Sequence, residues 1–144
     1  KTLIKTLTLL VAFLIVSNAN AQNEILGEWL NADKNGKVLI YKVGENYFGK
    51  ISWIKNPNNP DGTPQKDILN PDENLRNQTI VGLVIIKDLE YDGDNEWEDG
   101  TIYDPDSGKT YSCSMEINKN GVLGIRGYIG ISLLGQTTEW TKVK

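Results

Sequence analysis

Residues 100–111 read Gly-Thr-Ile-Tyr-Asp-Pro-Asp-Ser-Gly-Lys-Thr-Tyr, residues 124–130 read Gly-Ile-Arg-Gly-Tyr-Ile-Gly, and residues 136–140 read Gln-Thr-Thr-Glu-Trp. Strands rich in Tyr, Ile and Thr alternate here with turns of definable chemistry. In Asp104-Pro105-Asp106-Ser107-Gly108, Pro105 suits the second position of a type I turn and Gly108 a left-handed exit. Lys109 to Ile117 alternates most clearly: Tyr111, Cys113, Met115 and Ile117 share one face, and Thr110, Ser112, Ser114 and Glu116 the other. One face buried and one solvated is the signature of an antiparallel sheet.

Outward from this block, short β-rich runs recur between turn signals, and no segment keeps a helical period. The pattern predicts eight strands, at Leu26–Asn31, Lys37–Val43, Tyr47–Lys55, Val81–Tyr91, Glu96–Tyr103, Lys109–Ile117, Val122–Ile129 and Gln136–Val143. Asn35-Gly36 is expected to make a type I′ turn, with Gly44-Glu45-Asn46, Asp92-Gly93 and Asn120-Gly121 as the other tight connections. Short consecutive connections give up-and-down order. Eight such strands close into a barrel or stack as an open sandwich. Strand glycines such as Gly49, Gly100, Gly124 and Gly127 supply the bends and close approaches that closure needs, so the expected fold is all-β, an eight-stranded antiparallel up-and-down barrel.

Asn56 to Thr79 breaks the rhythm. It holds four of the five prolines (Pro57, Pro60, Pro64, Pro71) and cannot be a central strand. Asn70-Pro71-Asp72-Glu73 reads as the start of a short helix with Asn70 as N-cap. A connection this long in a compact domain is usually functional, and it is the candidate lid.

At the N-terminus, Lys1 and Lys5 precede an apolar run from Leu7 to Val16, interrupted by Thr8, and then Ala19-Asn20-Ala21. That order reads as a signal peptide over residues 1–21, cleaved near Ala21-Gln22. The apolar run is too short to span a bilayer, which takes ~20 residues. Residues 22–144 then form a single domain, periplasmic or secreted and not membrane-spanning. Without Lys1 and Lys5 the 15 basic residues fall to 13 against 19 acidic, a formal charge of −6. An acidic domain without a basic stripe is a poor partner for a phosphate backbone, so nucleic acid is not expected.

One cysteine and no histidine narrow the chemistry further. Ser-His-Asp and Cys-His nucleophiles and His-ligated zinc are impossible. Cys113 lies on the apolar face of its strand and reads as a buried, inert thiol. Asp92-Gly93-Asp94-Asn95-Glu96 does not have its glycine at the sixth position of a calcium loop, and Tyr103 stands where the twelfth-position Glu belongs. Glu96 and Glu98, or Asp99 and Asp104, are the acid pairs available for catalysis, and they fall where solvated or capping acids are common. No catalytic residue, metal ligand or cofactor site is assigned.

Gly27-Glu28-Trp29 resembles the Gly-x-Trp signature of lipocalins and related barrels. In that family the Trp plugs the closed end beneath a basic residue from late in the chain, a role open to Arg126 or Lys142. Over nearly the whole mature chain the sequence resembles small exported bacterial proteins carrying domain of unknown function 2147. The residues that carry this likeness include Tyr47-Phe48-Gly49-Lys50-Ile51, Asp67 with Asn70-Pro71, Trp97 through Pro105, Gly108 through Tyr111, Arg126 through Gly130, and Trp140. The resemblance implies a lipocalin-like barrel in the periplasm or outside the cell, and no activity.

Two uses of such a barrel fit the residues, and a third, a His-independent enzyme working through carboxylates, Tyr or Arg, would need a buried carboxylate facing a cleft. In the first, Trp53, Trp97, Tyr103, Arg126, Tyr128 and Trp140 line a site for a small apolar or amphipathic molecule beneath residues 56–79. In the second, the barrel is filled and contacts envelope proteins through that segment and exposed aromatics. The expected state is a monomer or weak dimer. Arg126 and Tyr128 face away from Ile125 unless a bulge at Gly127 slips the phase.

Overall fold

The computed structural model describes residues 20–128 and 136–144, with β1 at Gly27–Leu30, β2 at Gly36–Val43, β3 at Asn46–Ile54, β4 at Val84–Gly93, β5 at Glu96–Asp104, β6 at Lys109–Ile117, β7 at Leu123–Tyr128 and β8 at Gln136–Lys142. Each strand pairs antiparallel with the next. β8 returns to β1 through Trp29 opposite Lys142 and Leu30 opposite Thr141, so the sheet is a closed barrel. Closure removes the free edges that would otherwise invite pairing with another chain. Most of the expected signal peptide, residues 1–19, lies outside the described residues, as do Gly130, Gly135 and the Tyr128 side chain.

The interior follows the period of two. Val38 and Ile40 on β2, Tyr47 and Ile51 on β3, Ile86 and Leu89 on β4, Trp97 on β5, Cys113, Met115 and Ile117 on β6, Leu123 and Ile125 on β7 and Trp140 on β8 are all buried. Each large apolar side chain so buried contributes about 1.5–3 kcal/mol. Two inward positions have no room for a side chain. A Cβ at Gly100 would sit 2.6 Å from Leu89 Cγ and 2.9 Å from the Lys87 carbonyl oxygen, and one at Gly49 would sit 2.8 Å from Ile86 Cδ1.

Several turns differ from expectation. Asn35 and Gly36 do not form a type I′ pair; the left-handed residue is Lys34, at φ 57°. Asn31 replaces the tight turn with side-chain bonds, its Oδ1 accepting from the Asn35 and Gly36 N–H groups. β4 runs on through Gly93, and the reversal falls on Asp94 and Asn95, both left-handed at φ 52° and 58°. Asn, Asp and Gly are the residues that tolerate such angles. The Asp104–Gly108 turn forms as expected, with Gly108 at φ 70° and Asp104 Oδ1 accepting from the Asp106 N–H.

Residues 55–83 form a strap that is hydrogen-bonded to itself. Asn58 bridges Pro64 and Lys66 bridges Thr79, while the Ile80 N–H donates to Gln65 O at 3.0 Å. Its helix is a single 3-10 turn, Glu73–Leu75, and its N-cap is Asp72 instead of Asn70. Asn70 acts one step earlier, accepting from the Asp72 N–H and so turning the chain into that cap.

Candidate functional site

The two ends of the barrel are built differently. At one end the segment before β1 closes the interior. Trp29 is buried, its Nε1 donates to the Ile25 carbonyl at 2.9 Å, and Lys142 Nζ lies 5.0 Å from its ring centroid. Lys142 also donates to the Glu24 carbonyl, and the Tyr47 hydroxyl donates to the Gln22 carbonyl at 2.8 Å. Of the two cations open to the Gly27-Glu28-Trp29 signature, Lys142 takes the role, and the trio is structural. Trp97 packs between Tyr47 and Tyr91, with ring centroids 6.2 and 5.2 Å away. Its indole N–H has no hydrogen-bond partner among the described residues.

At the other end a cavity of about 280 Å³ opens between the β1–β2 turn, the strap and the β5–β6 turn. Its floor is apolar: Val38, Ile51, Ile85 and Trp140. Its rim carries the polar groups Asn31, Lys37, Asn56, Gln65 and Asp106. A register shift in β4 helps to make this floor, because Ile85 and Ile86 are both buried where strict alternation would expose one. An apolar floor under a polar rim suits a compact molecule with one polar end.

Asp67 anchors the strap. It is fully buried, its Oδ1 accepts from the Tyr103 hydroxyl at 2.6 Å, and its Oδ2 accepts from Asn70 Nδ2 at 2.8 Å. Burial, then the bond to Asp67, pushes the Tyr103 phenol up to about 12, so Tyr103 stays a donor. A buried carboxylate beside a cleft is what a His-independent enzyme would require. Here both oxygens are engaged by neutral donors, and Asp67 is a fastening. Nearby, the β5–β6 turn seats Gly108 against the Leu69 carbonyl, where a Cβ would come within 2.2 Å.

Of the six residues expected to line the site, the five whose side chains are described are not brought together. Trp140 lines the mouth cavity, and Trp97 fills the far interior. Trp53 is 39% exposed on the outer surface, with Lys37 Nζ 5.3 Å from its ring. Tyr103 faces outward under the strap. Arg126 is exposed, because the β6–β7 register runs unbroken past Gly127 and the phase does not slip. The Tyr128 side chain lies outside the described residues. Asp67 was recognisable only as part of the family resemblance, since nothing local marks it for burial.

Two reactive-looking groups have ordinary explanations. Burial pushes the Cys113 thiol up to about 12, which leaves it protonated and inert. The carboxylates of Asp92, Glu96 and Glu98 lie within 4.8 Å of one another on the outer surface. Partial burial, then repulsion from Glu96, Asp92 and Asp99, raises the Glu98 carboxyl above its usual range.

The fold has a solved counterpart. A Helicobacter pylori protein, described as belonging to the lipocalin family, superposes with a TM-score of 0.71 at 25% identity, over 83% of each chain. No curated protein sequence matches significantly. Residues 27–142, every strand of the barrel, match the family described as an uncharacterized protein conserved in bacteria, domain of unknown function 2147, and the chain belongs to that lipocalin-like family.

Proposed function

We propose that this domain is an exported, non-enzymatic binding module that holds a small amphipathic molecule in the barrel mouth. One observation carries the reading: the floor of Val38, Ile51, Ile85 and Trp140 lies beneath a polar rim and beside an anchored strap. The lipocalin-like fold and the family agree with a non-enzymatic role. The cavity also limits the ligand. About 280 Å³ falls below the ~300 Å³ at which small-molecule pockets begin, which counts against a ligand of ordinary size and leaves room for a compact one only. Export follows from the Lys1–Ala21 pattern, and a mature chain beginning at Gln22 keeps the carbonyl that accepts from Tyr47. The working form is a monomer or weak dimer in the periplasm or outside the cell.

Native mass spectrometry of protein recovered from its own host tests this. The expected result is a bound species of a few hundred daltons that is lost in Ile51→Trp, which fills the mouth. A wild-type chain that carries nothing, or a species retained by Ile51→Trp, would overturn the reading.

A second reading, a filled barrel that contacts an envelope protein, is favoured by Ile68 and Leu69, which are 70% and 52% exposed on the strap. It requires a defined envelope partner whose cross-linking disappears in Ile68→Asp while the mouth stays empty.

A further inference from the structure

We propose a second binding site, on the outside of the barrel, for an anionic amphiphile: the outer wall of β2, β3 and β4 together with the strap holds its chain, and Lys87 holds its head group. The proposal does not depend on the mouth cavity being a ligand site.

The argument begins with the strand period. Outward positions of a solvated antiparallel sheet are normally polar. On this wall five of them are apolar, Leu39, Tyr41, Val43, Phe48 and Val84, beside the polar Lys37, Lys50, Ser52, Lys87 and Glu90. Tyr41 stands opposite Phe48 and their rings stack at 6.0 Å, while Val43 is 59% exposed. The strap adds a second side. Leu75 and Val81, each 40% exposed, turn toward the same wall and away from the barrel interior. Between them lies an open trough of about 930 Å³.

Charge then selects the occupant. The chain has 19 acidic residues against 15 basic, yet no Asp or Glu lines this trough. Lys87 does, and its ammonium has no ion-pair or hydrogen-bond partner among the described residues. Lys50, opposite Val84 on the same wall, lies over the Tyr41 ring at 5.7 Å. On the other side of Lys87 a smaller recess of about 390 Å³ offers the hydroxyls of Thr101 and Thr110; the Tyr103 hydroxyl beside them already donates to Asp67. Asp72 borders that recess, and its Oδ1 already accepts from the Asn74 N–H. An unpaired cation with hydroxyl donors on one side and an aromatic trough on the other fits an anionic head with a flexible apolar tail. A neutral lipophile would leave Lys87 unused, and a cation would be repelled.

Dodecanoate, titrated below its micelle concentration into the labelled mature domain, tests the site by amide chemical shifts. Saturable shifts are expected at Tyr41, Phe48, Val81 and Lys87. Lys87→Gln, an exposed change that leaves the dispersed spectrum intact, should weaken binding about tenfold, the loss of one hydrogen bond to a charged group. Dodecanol should bind about tenfold more weakly than dodecanoate for the same reason. Shifts confined to Val38, Ile51 and Trp140 would place the ligand in the mouth and overturn the outer site. So would the absence of saturable shifts, or equal affinity in Lys87→Gln. A dimer in sedimentation equilibrium that disperses in Phe48→Glu would make a second copy the occupant, and would overturn the proposal as well.

Discussion

The wall formed by β2, β3 and β4 and the wall formed by β5 to β8 have the same architecture and different surfaces. Inward, the two are alike. Ile40, Tyr47, Ile86 and Leu89 meet Trp97, Met115, Leu123 and Ile125 in one buried core. Outward, the second wall presents Glu96, Glu98, Thr110, Ser112, Ser114, Glu116 and Arg126, the polar set that a solvated sheet needs. The first mixes Lys50, Ser52, Lys87 and Glu90 with an apolar group, Leu39, Tyr41, Val43, Phe48 and Val84. Barrel stability is served by inward residues, so folding alone does not require the apolar surface of the first wall. The difference separates what the fold needs from what the surface is for, and each prediction below acts on one side of that division.

The largest effects belong to the shared interior. Gly100→Val should cost about 3 kcal/mol or more, because the new atoms meet Leu89 and the backbone oxygen of Lys87, which cannot swing aside. Gly49→Ala, at an inward position on the other wall, should cost less, about 1–2 kcal/mol. The atom it meets, Ile86 Cδ1, is the end of a flexible side chain. Urea unfolding of both variants measures the pair. A Gly100→Val protein as stable as wild type would mean that the interior is looser than the contact distances show.

Next comes the fastening that ties the strap to the polar wall. Asp67→Ala leaves the Tyr103 hydroxyl and the Asn70 amide without their acceptor and should cost about 1–3 kcal/mol. Hydrogen exchange should quicken at the amides of position 67 and Ile80, which bond within the strap, while β6 and β7 amides keep their protection. If exchange quickened equally throughout the barrel, Asp67 would be part of the core and not an anchor for the strap alone. The same bond has an alkaline limit. Tyr103 has its folded pKa raised to about 12, above the ordinary value of about 10. Its contribution is therefore complete below about pH 10 and is lost as pH rises through about 12. Ultraviolet titration should show one phenol ionising late, and Asp67→Asn should bring that step to lower pH.

Much of this was legible in the residues, and the exceptions share a cause. β6 falls at Lys109–Ile117 as expected, because strict alternation marks both its faces. β4 begins at Val84 and not at Val81. Gly82, at φ 94°, breaks the extended chain there, although the Gly82 N–H and the Leu83 carbonyl already bond to Ile51. The orientation of Arg126 depended on whether Gly127 bulges, which only pairing with β6 decides. The expected site scattered because aromatic residues in a barrel serve three ends: Trp97 fills, Trp53 faces solvent, and Tyr103 fastens the strap. Type and spacing do not separate these uses. Asp67 was hidden for a similar reason, since its partner Tyr103 lies 36 residues away.

The smallest expected effect bears most directly on the two walls. Phe48→Thr replaces an outward aromatic with the kind of residue that the polar wall carries at its own outward positions. Thr is a good strand former, so the backbone loses nothing. What is lost is the stacked contact with Tyr41, worth about 0.5–1.5 kcal/mol, and part of that is recovered by removing exposed apolar surface. The net change in stability should be about 1 kcal/mol or less, against about 3 kcal/mol or more for Gly100→Val on the inner side. Equilibrium unfolding in urea of Phe48→Thr and wild type in parallel checks it. A loss near 3 kcal/mol would show that the strap and the outer wall pack as a second small core, and the apolar surface would then be a requirement of the fold. A near-neutral result leaves Tyr41, Phe48 and Val43 without a structural reason to be apolar, and an apolar surface kept without such a reason is one that meets another molecule.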